Sequence, residues 1–362
     1  METAYLRLYR TLRGQIVQGD YPYDSRLPSK RVLAENYHLS LATVQHAYEI
    51  LCDEGYAVAR ERSGYFVAYR PTEVMGERME LMPPQGMQHS NHTFHTAEEL
   101  PFTVYARTMR RVLAEYGDRL LVKSPNTGCG ELREAVSRYL AVHRGILVPP
   151  ARIVIGSGAE QLYGLIVQVL GRERRYALED PCYERIRQVY QAQGVQVEQL
   201  RMGPDGIRTE ALEQSSAEVL HITPFHSWPT GITASASKRR EYLHWANARR
   251  GFIVEDDFDS EFSASTKTED TLFSQSTGNV IYVNTFSKTV APSIRAGYML
   301  LPEALMEVYR QRAGFSSCTV PVAEQLLLAE LIRSGDFVRH INRIRRRRRQ
   351  QERLRNHSER SV

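Results

Sequence analysis

A chain of 362 residues with 42% hydrophobic and 25% charged side chains is too long for one small domain, so two are expected. No stretch approaches the roughly 18 apolar residues of a membrane helix. Residues 1–15 are too polar for a secretory signal, and four scattered cysteines (Cys52, Cys129, Cys182, Cys318) without a CxxC spacing point to a reducing cytoplasm. The formal charge of +5 is not by itself evidence for nucleic-acid binding. Residues 1–70 carry 9 Lys/Arg against 8 Asp/Glu, whereas residues 333–362 carry 11 Arg against 3 acids, so the tail holds the excess.

Tyr5, Leu8, Leu12 and Ile16 recur at near-helical spacing and predict an amphipathic helix, stopped by the turn Gln18-Gly19-Asp20-Tyr21-Pro22. Ser29 is placed to cap a short second helix whose apolar side is expected from Val32, Leu33 and Tyr37. Ser40 caps a third, Leu41 to about Glu54, buried through Val44, Ala47, Tyr48 and Leu51, with Thr43, Gln45 and His46 facing elsewhere and Gly55 ending it. Two short strands, 56–60 and 65–69, flank Glu61-Arg62-Ser63-Gly64. Three helices and a hairpin in this order predict a winged helix-turn-helix whose third helix enters a DNA major groove, although the same fold can also serve protein contacts.

Residues 71–96 hold prolines, glycines and no sustained period, which reads as a linker. His89, His92 and His95 fall three apart without cysteine or carboxylate ligands, so no metal site is expected there. Beyond lie helices at 101–116 and 130–144, the latter with Leu132, Val136 and Leu140 on one face. Alternating strands and helices follow, with strands at 153–155, 176–178, 195–200, 219–222, 252–254, 280–283 and 297–301. That pattern predicts an α/β domain over 97–362 around a mostly parallel seven-stranded sheet, with ligands at the C-terminal strand ends.

The candidate chemistry falls at such ends. Gly156-Ser157-Gly158-Ala159 follows a strand and opens a helix, so the amides near Gly158 and Ala159 can hold a phosphate, or form a plain tight turn. Asp180-Pro181-Cys182-Tyr183 ends the next strand, with Arg185 and Arg187 just beyond, placed to meet a ligand carboxylate. Glu255-Asp256-Asp257 ends another; one of these acids can pair with a protonated ring nitrogen, or the cluster can cap a helix or bind a metal. In VIYVNTFSKTVAPSIRAGYMLL (280–301), two buried strands enclose a polar loop from Asn284 to Lys288. Desolvation and neighbouring cations can free such a lysine to form a Schiff base; the alternative is a solvated lysine in a surface turn. Thr285, Ser287 and Arg295 add two hydroxyls and a bidentate cation, a kit for a phosphate.

Thr-x-Ser-Lys at 285–288 followed by Arg295-x-Gly297 resembles the cofactor-lysine segment of fold-type I pyridoxal 5'-phosphate (PLP) aminotransferases. LPSKRVLAENYHLSLATVQHAYEILCDEGYAVARERSGYFV (27–67) is similar to the GntR-type winged helix. Together, from Tyr5 to about Arg349, the chain resembles a MocR-type regulator, in which the two are fused. The resemblance implies domains at 1–70 and 97–362, PLP on Lys288, Asp256 on the pyridine nitrogen with Asp257 the fallback, and Tyr183 stacked on the ring. It further implies Arg31 on DNA phosphate, Ser40, Thr43 and Gln45 at the groove, and Arg62 with Gly64 at the wing tip.

Homodimerisation, a double-stranded DNA operator and a small amino compound as effector also follow from the resemblance. Four positions depart from the family pattern. Leu41 and Ala42 stand where Arg and Thr are frequent; Phe258 replaces a tyrosine, and Trp228 an asparagine, that tune the ring. The small C-terminal subdomain that carries a carboxylate-binding arginine is expected to be missing after the arginine-rich segment 343–355, itself expected to be a solvated face. A regulator that senses through PLP is therefore favoured over a working aminotransferase or a DNA-binding protein whose second domain is only a dimerisation scaffold.

Overall fold

The computed structural model describes residues 3–60, 63–70, 100–263 and 270–359, with side chains as far as residue 351. Segment 71–96, expected to be a linker, its three histidines and Arg62 lie outside these residues. The described residues fall into two compact units, residues 3–70 in one and residues from 100 onward in the other.

The first unit comprises α1 (Ala4–Gln18), α2 (Lys30–Tyr37), α3 (Leu41–Asp53), β1 (Ala57–Arg60) and β2 (Gly64–Val67). The Ser29 and Ser40 hydroxyls accept from Val32 N and Thr43 N and start α2 and α3. Leu8, Leu12, Ile16, Val44, Ala47, Tyr48 and Leu51 close the core. Only Leu33 is buried on α2; Val32 and Tyr37, expected on its apolar side, are exposed. Two helical turns present one position to the core, and Leu33 takes it. β1 and β2 pair antiparallel with Arg60 opposite Gly64, so Gly64 opens the second strand of the wing.

The second unit runs α4 (Phe102–Tyr116), α5 (Gly130–Arg144), β3 (Ile153–Gly156), α6 (Ala159–Leu170), β4 (Arg175–Asp180), α7 (Glu184–Ala192), β5 (Gln196–Gly203), β6 (Gly206–Ile207), α8 (Thr209–Gln214), β7 (Val219–Ile222), α9 (Ala236–Arg249), β8 (Phe252–Asp256), α10 (Leu272–Gln275), β9 (Val280–Thr285), α11 (Phe286–Thr289), β10 (Gly297–Leu300), α12 (Glu303–Arg312), α13 (Val322–Arg333) and α14 (Asp336–Glu359). The strands form one sheet in the order β3-β10-β9-β8-β7-β4-β5-β6. It has eight strands rather than seven, because Gly203 and Gly206 let the chain fold back and add β6 antiparallel to β5. The four pairs joining β5, β4, β7, β8 and β9 are parallel, and β10 runs antiparallel to both β9 and β3. Buried strand faces carry Val, Ile and Leu nearly throughout, as a sheet covered on both sides requires.

This topology aligns the C-terminal ends of β3, β4, β7, β8 and β9 along one sheet edge, and β10 begins there. Gly297 pairs with Gly156 on one side and Thr285 on the other. A Cβ at Gly297 would lie 2.8 Å from Asn284 O, so the close approach needs glycine. Arg295, two residues earlier, is thereby delivered between the Gly158 turn and α11.

Candidate cofactor site and DNA-binding face

Lys288 lies not in a loop but in the single helical turn α11, started by Thr285 Oγ1, which accepts from Ser287 N at 3.2 Å. The Lys288 ammonium is 3.1 Å from Asp259 Oδ1 and 4.7 Å from the centroid of the Phe258 ring. Asp259 escapes sequence reasoning because it lies 29 positions upstream on another segment.

The residues expected around a phosphate converge. Ser287 Oγ donates to Ile294 O at 2.7 Å and lies 3.4 Å from Arg295 Nη1. Gly158, at φ +88°, caps α6, and a Cβ there would be 3.0 Å from Arg295 Nη2. The first amides of α6, from Ala159 onward, have no intrahelical acceptor by helix geometry. Positive helix end, guanidinium and hydroxyls thus share one cradle that a side chain at 158 would enter.

The three acids at the end of β8, Glu255 and Asp256 within it and Asp257 just past it, part company, because consecutive residues of an extended chain face opposite sides of the sheet. Glu255 accepts from Leu272 N (2.9 Å) and Phe273 N (2.8 Å), the capping alternative for the cluster. Asp257, the fallback partner for a ring nitrogen, is committed elsewhere: Arg144 donates to it at 2.6 Å and Tyr282 at 2.8 Å, with both ion-pair partners buried. Asp256 accepts from the Tyr163 hydroxyl at 2.5 Å, and its Oδ2 lies 3.6 Å from His221 Nε2. Burial, then the Asp256 carboxylate, pushes the Tyr163 phenol well above the usual tyrosine range.

The other ring nitrogen of His221 is 2.7 Å from Tyr190 Oη, while the buried Nε2 has no hydrogen-bond partner among the described residues. Sequence reasoning misses His221 and Tyr163 as site residues. Their one sequence signal is a histidine inside the apolar strand VLHI. Nearby, burial pushes Glu179 up to about 8; bonds from Ser227 and the Thr223 backbone oppose that, and Asp256 adds to it.

Tyr183 stands at the N-terminus of α7, 43% exposed, within electrostatic reach of Tyr163. Arg185 pairs with Glu160 on α6 at 2.8 Å, while Arg187 folds back onto Glu184 of its own helix. Trp228 is exposed beyond β7. Among the described residues no group of three His, Cys, Asp or Glu side chains is arranged to hold a metal ion. The arginine-rich segment, expected as a solvated face, forms α14 and is partly inserted. Arg345 Nε donates to Glu261 O at 2.6 Å, and Arg348 Nη1 is 3.5 Å from both oxygens of Asp259.

In the first unit, Arg31 is exposed on α2. The Ser40 and Thr43 hydroxyls lie 2.8 Å apart, so both are engaged at the start of α3. Gln45 accepts from Lys30 Nζ at 3.4 Å and donates to Glu49 at 3.0 Å. Gly64, at φ +103°, packs under Arg26, whose Nε would be 3.4 Å from a Cβ there. Arg26, bridged to Phe66, is a cation at the wing that sequence reasoning missed.

A winged helix of this kind and a doubly wound domain with a lysine, an acid and an anion cradle on one sheet edge define a DNA-binding unit joined to an aminotransferase-like fold. The family model "Bacterial regulatory proteins, gntR family" matches residues 4–67. The chain is 32% identical over 350 residues to the uncharacterized HTH-type transcriptional regulator YdeL of Bacillus subtilis (strain 168), covering 94% of this chain and 76% of that protein. It is 27% identical over 363 residues to the probable rhizopine catabolism regulatory protein MocR of Rhizobium meliloti, covering 94% and 74%. Among solved structures, the α-aminoadipate aminotransferase LysN from Thermus thermophilus, complexed with N-(5'-phosphopyridoxyl)-L-leucine, matches with a TM-score of 0.61 at 28% identity. That match covers 68% of this chain and 64% of that one. The chain belongs to the MocR-type HTH transcriptional regulators.

Proposed function

We propose that this transcriptional regulator holds PLP through Lys288 and senses a small amino compound there, changing its grip on double-stranded DNA. The observation carrying this reading is the register at Gly297, which brings Arg295 between the Gly158 turn and Ser287 on the strand-end edge that also holds Asp256 and Lys288. The residues fit the cofactor. Gly158 and Ala159 amides, Thr285, Ser287 and Arg295 would hold the phosphate; Asp256, backed by Tyr163 and His221, would face the ring nitrogen; Tyr183 would cover the ring. When bound, PLP supplies an electrophilic aldehyde carbon and an electron-withdrawing ring.

Arg185 and Arg187 would meet an effector carboxylate after exchanging their present acids for it. The protein is a cytoplasmic homodimer in this reading; among the described residues no helix is long and apolar enough to cross a membrane. Arg31, Ser40, Thr43, Gln45, Gly64 and, at the wing, Arg62 would face DNA. Leu41 and Ala42 can meet thymine methyls but cannot read guanine.

Two experiments test this. Purified protein incubated with PLP and reduced with borohydride should carry the cofactor adduct on Lys288 by mass spectrometry. A Lys288→Ala protein with the same absorption and the same operator response would defeat the reading. Arg31→Ala should weaken DNA binding uniformly across sequences and reduce the salt slope by about one, whereas Gln45→Ala should alter sequence preference. A second reading, an aminotransferase, rests on the fold likeness to LysN. Phe258 offers no hydroxyl to a cofactor, which favours a regulator without turnover; clear multiple turnovers of an amino acid to its keto acid would reverse the ranking.

A further inference from the structure

The segment from Phe258 to Phe262 is wedged between the Lys288 turn and the arginine-rich helix. On one side Asp259 Oδ1 is 3.1 Å from Lys288 Nζ; on the other, both its oxygens are 3.5 Å from Arg348 Nη1. Asp259 is 9% exposed, so water takes little part in its charge balance. The neighbouring contacts hold the wedge in place: Arg345 donates to Glu261 O, Asn284 donates to Glu261 Oε1 at 2.7 Å, and Arg348 lies 5.1 Å over the buried Phe262 ring.

On α14, Ile341, Ile344, Arg345 and Arg348 fall at the spacing that puts them on one face. Its first half is anchored by apolar burial at Ile341 and Ile344, and its next turn carries Arg345 and Arg348 against the wedge.

We propose that Asp259 is a shared counter-ion through which the state of the Lys288 amine is read by α14. With the ammonium present, one carboxylate serves two cations. The ammonium gives one proton to solvent, and the neutral amine condenses with an aldehyde. Nζ bonds to the carbonyl carbon, the carbonyl oxygen leaves as one water with the two remaining amine protons, and the ammonium is gone from the pair. Asp259 then serves Arg348 alone, and the turn of α14 around it tightens. The lysine's chemistry is thereby transmitted to the last described helix through two side-chain contacts. Asp259 and Arg348 are positioning residues; neither takes part in bond making.

This inference rests on the proposed role of Lys288, and hydrogen exchange read by mass spectrometry on the full chain separates the two. Without PLP, Lys288→Ala should slow amide exchange in residues 342–351 about threefold, the scale of one partly exposed ion pair. PLP should slow the same amides in the unsubstituted protein. In an Asp259→Asn background neither Lys288→Ala nor PLP should change them, while borohydride still fixes PLP on Lys288. Arg348→Gln should also abolish the response and leaves the lysine's surroundings intact. An unchanged exchange rate in Lys288→Ala, or a PLP response surviving Asp259→Asn, overturns the coupling. A Lys288→Ala effect without any trapped adduct in the unsubstituted protein would leave the coupling standing and remove the cofactor reading.

Discussion

Replacing Arg144 by methionine should destabilise the second unit by about 3–5 kcal/mol, a large part of the roughly 5–15 kcal/mol typical of a folded domain. The size follows from the geometry. Among the described residues, the buried Asp257 carboxylate receives its one cation from Arg144, at 2.6 Å; Tyr282 and Ser260 N supply dipoles, not charge. Glu261 stands close enough that burial, then the Asp257 charge, pushes its carboxyl up to about 7. Removing the guanidinium therefore leaves an uncompensated anion beside a second acid.

Both tryptophans, Trp228 and Trp245, belong to the second unit, and Trp245 is buried, so tryptophan fluorescence in urea follows that unit alone. The midpoint should fall by about 1–2 M. Arg144→Met with Asp257→Leu should recover most of the loss, since an apolar pair needs no counter-charge. A single-variant loss below about 1 kcal/mol, or simple addition of the two changes, would refute the buried-pair argument.

Gly158→Ala places a side chain at φ +88° and ψ 174°, a region essentially reserved for glycine, at a cost of about 1–3 kcal/mol, and brings its Cβ against Arg295. Stability should fall by that amount and PLP titrated by fluorescence should bind about tenfold more weakly; unchanged stability would refute the strain. Glu179 is held at about 8 against an ordinary 4.5. A carboxyl raised on folding contributes stability that is fully present below 4.5 and lost as pH rises towards 8. Glu179→Gln should flatten that decline in urea midpoints measured across the interval, and a variant curve running parallel to the parent would contradict it.

Several elements were legible because their signals are local. Ser40 caps a helix through an amide three residues on, and the apolar runs at 219–222 and 280–283 are strands in a sheet covered on both faces. Short elements misled: α2 has one buried position where three apolar residues were available, and Gly206–Ile207 is too brief to announce a strand. The candidate site divides in the same way. Lys288, Ser287 and Arg295 lie within eight residues of one another and could be seen together, whereas Asp256 acquires Tyr163 and His221 from segments 93 and 35 residues away in sequence.

The sequence by itself determined most of the longer helices and strands, the order of the two units, and which lysine, acid and cation are candidates for holding an anionic aldehyde. Those follow from capping, side-chain periodicity and residue chemistry, which act within a few positions of the chain. Only the tertiary structure decided that Asp256 and not Asp257 is turned towards His221 and Tyr163, that Arg295 meets the Gly158 turn, and that Asp259 stands between Lys288 and Arg348. These depend on sheet register and on which face of a strand or helix is buried, quantities fixed when distant segments pack together.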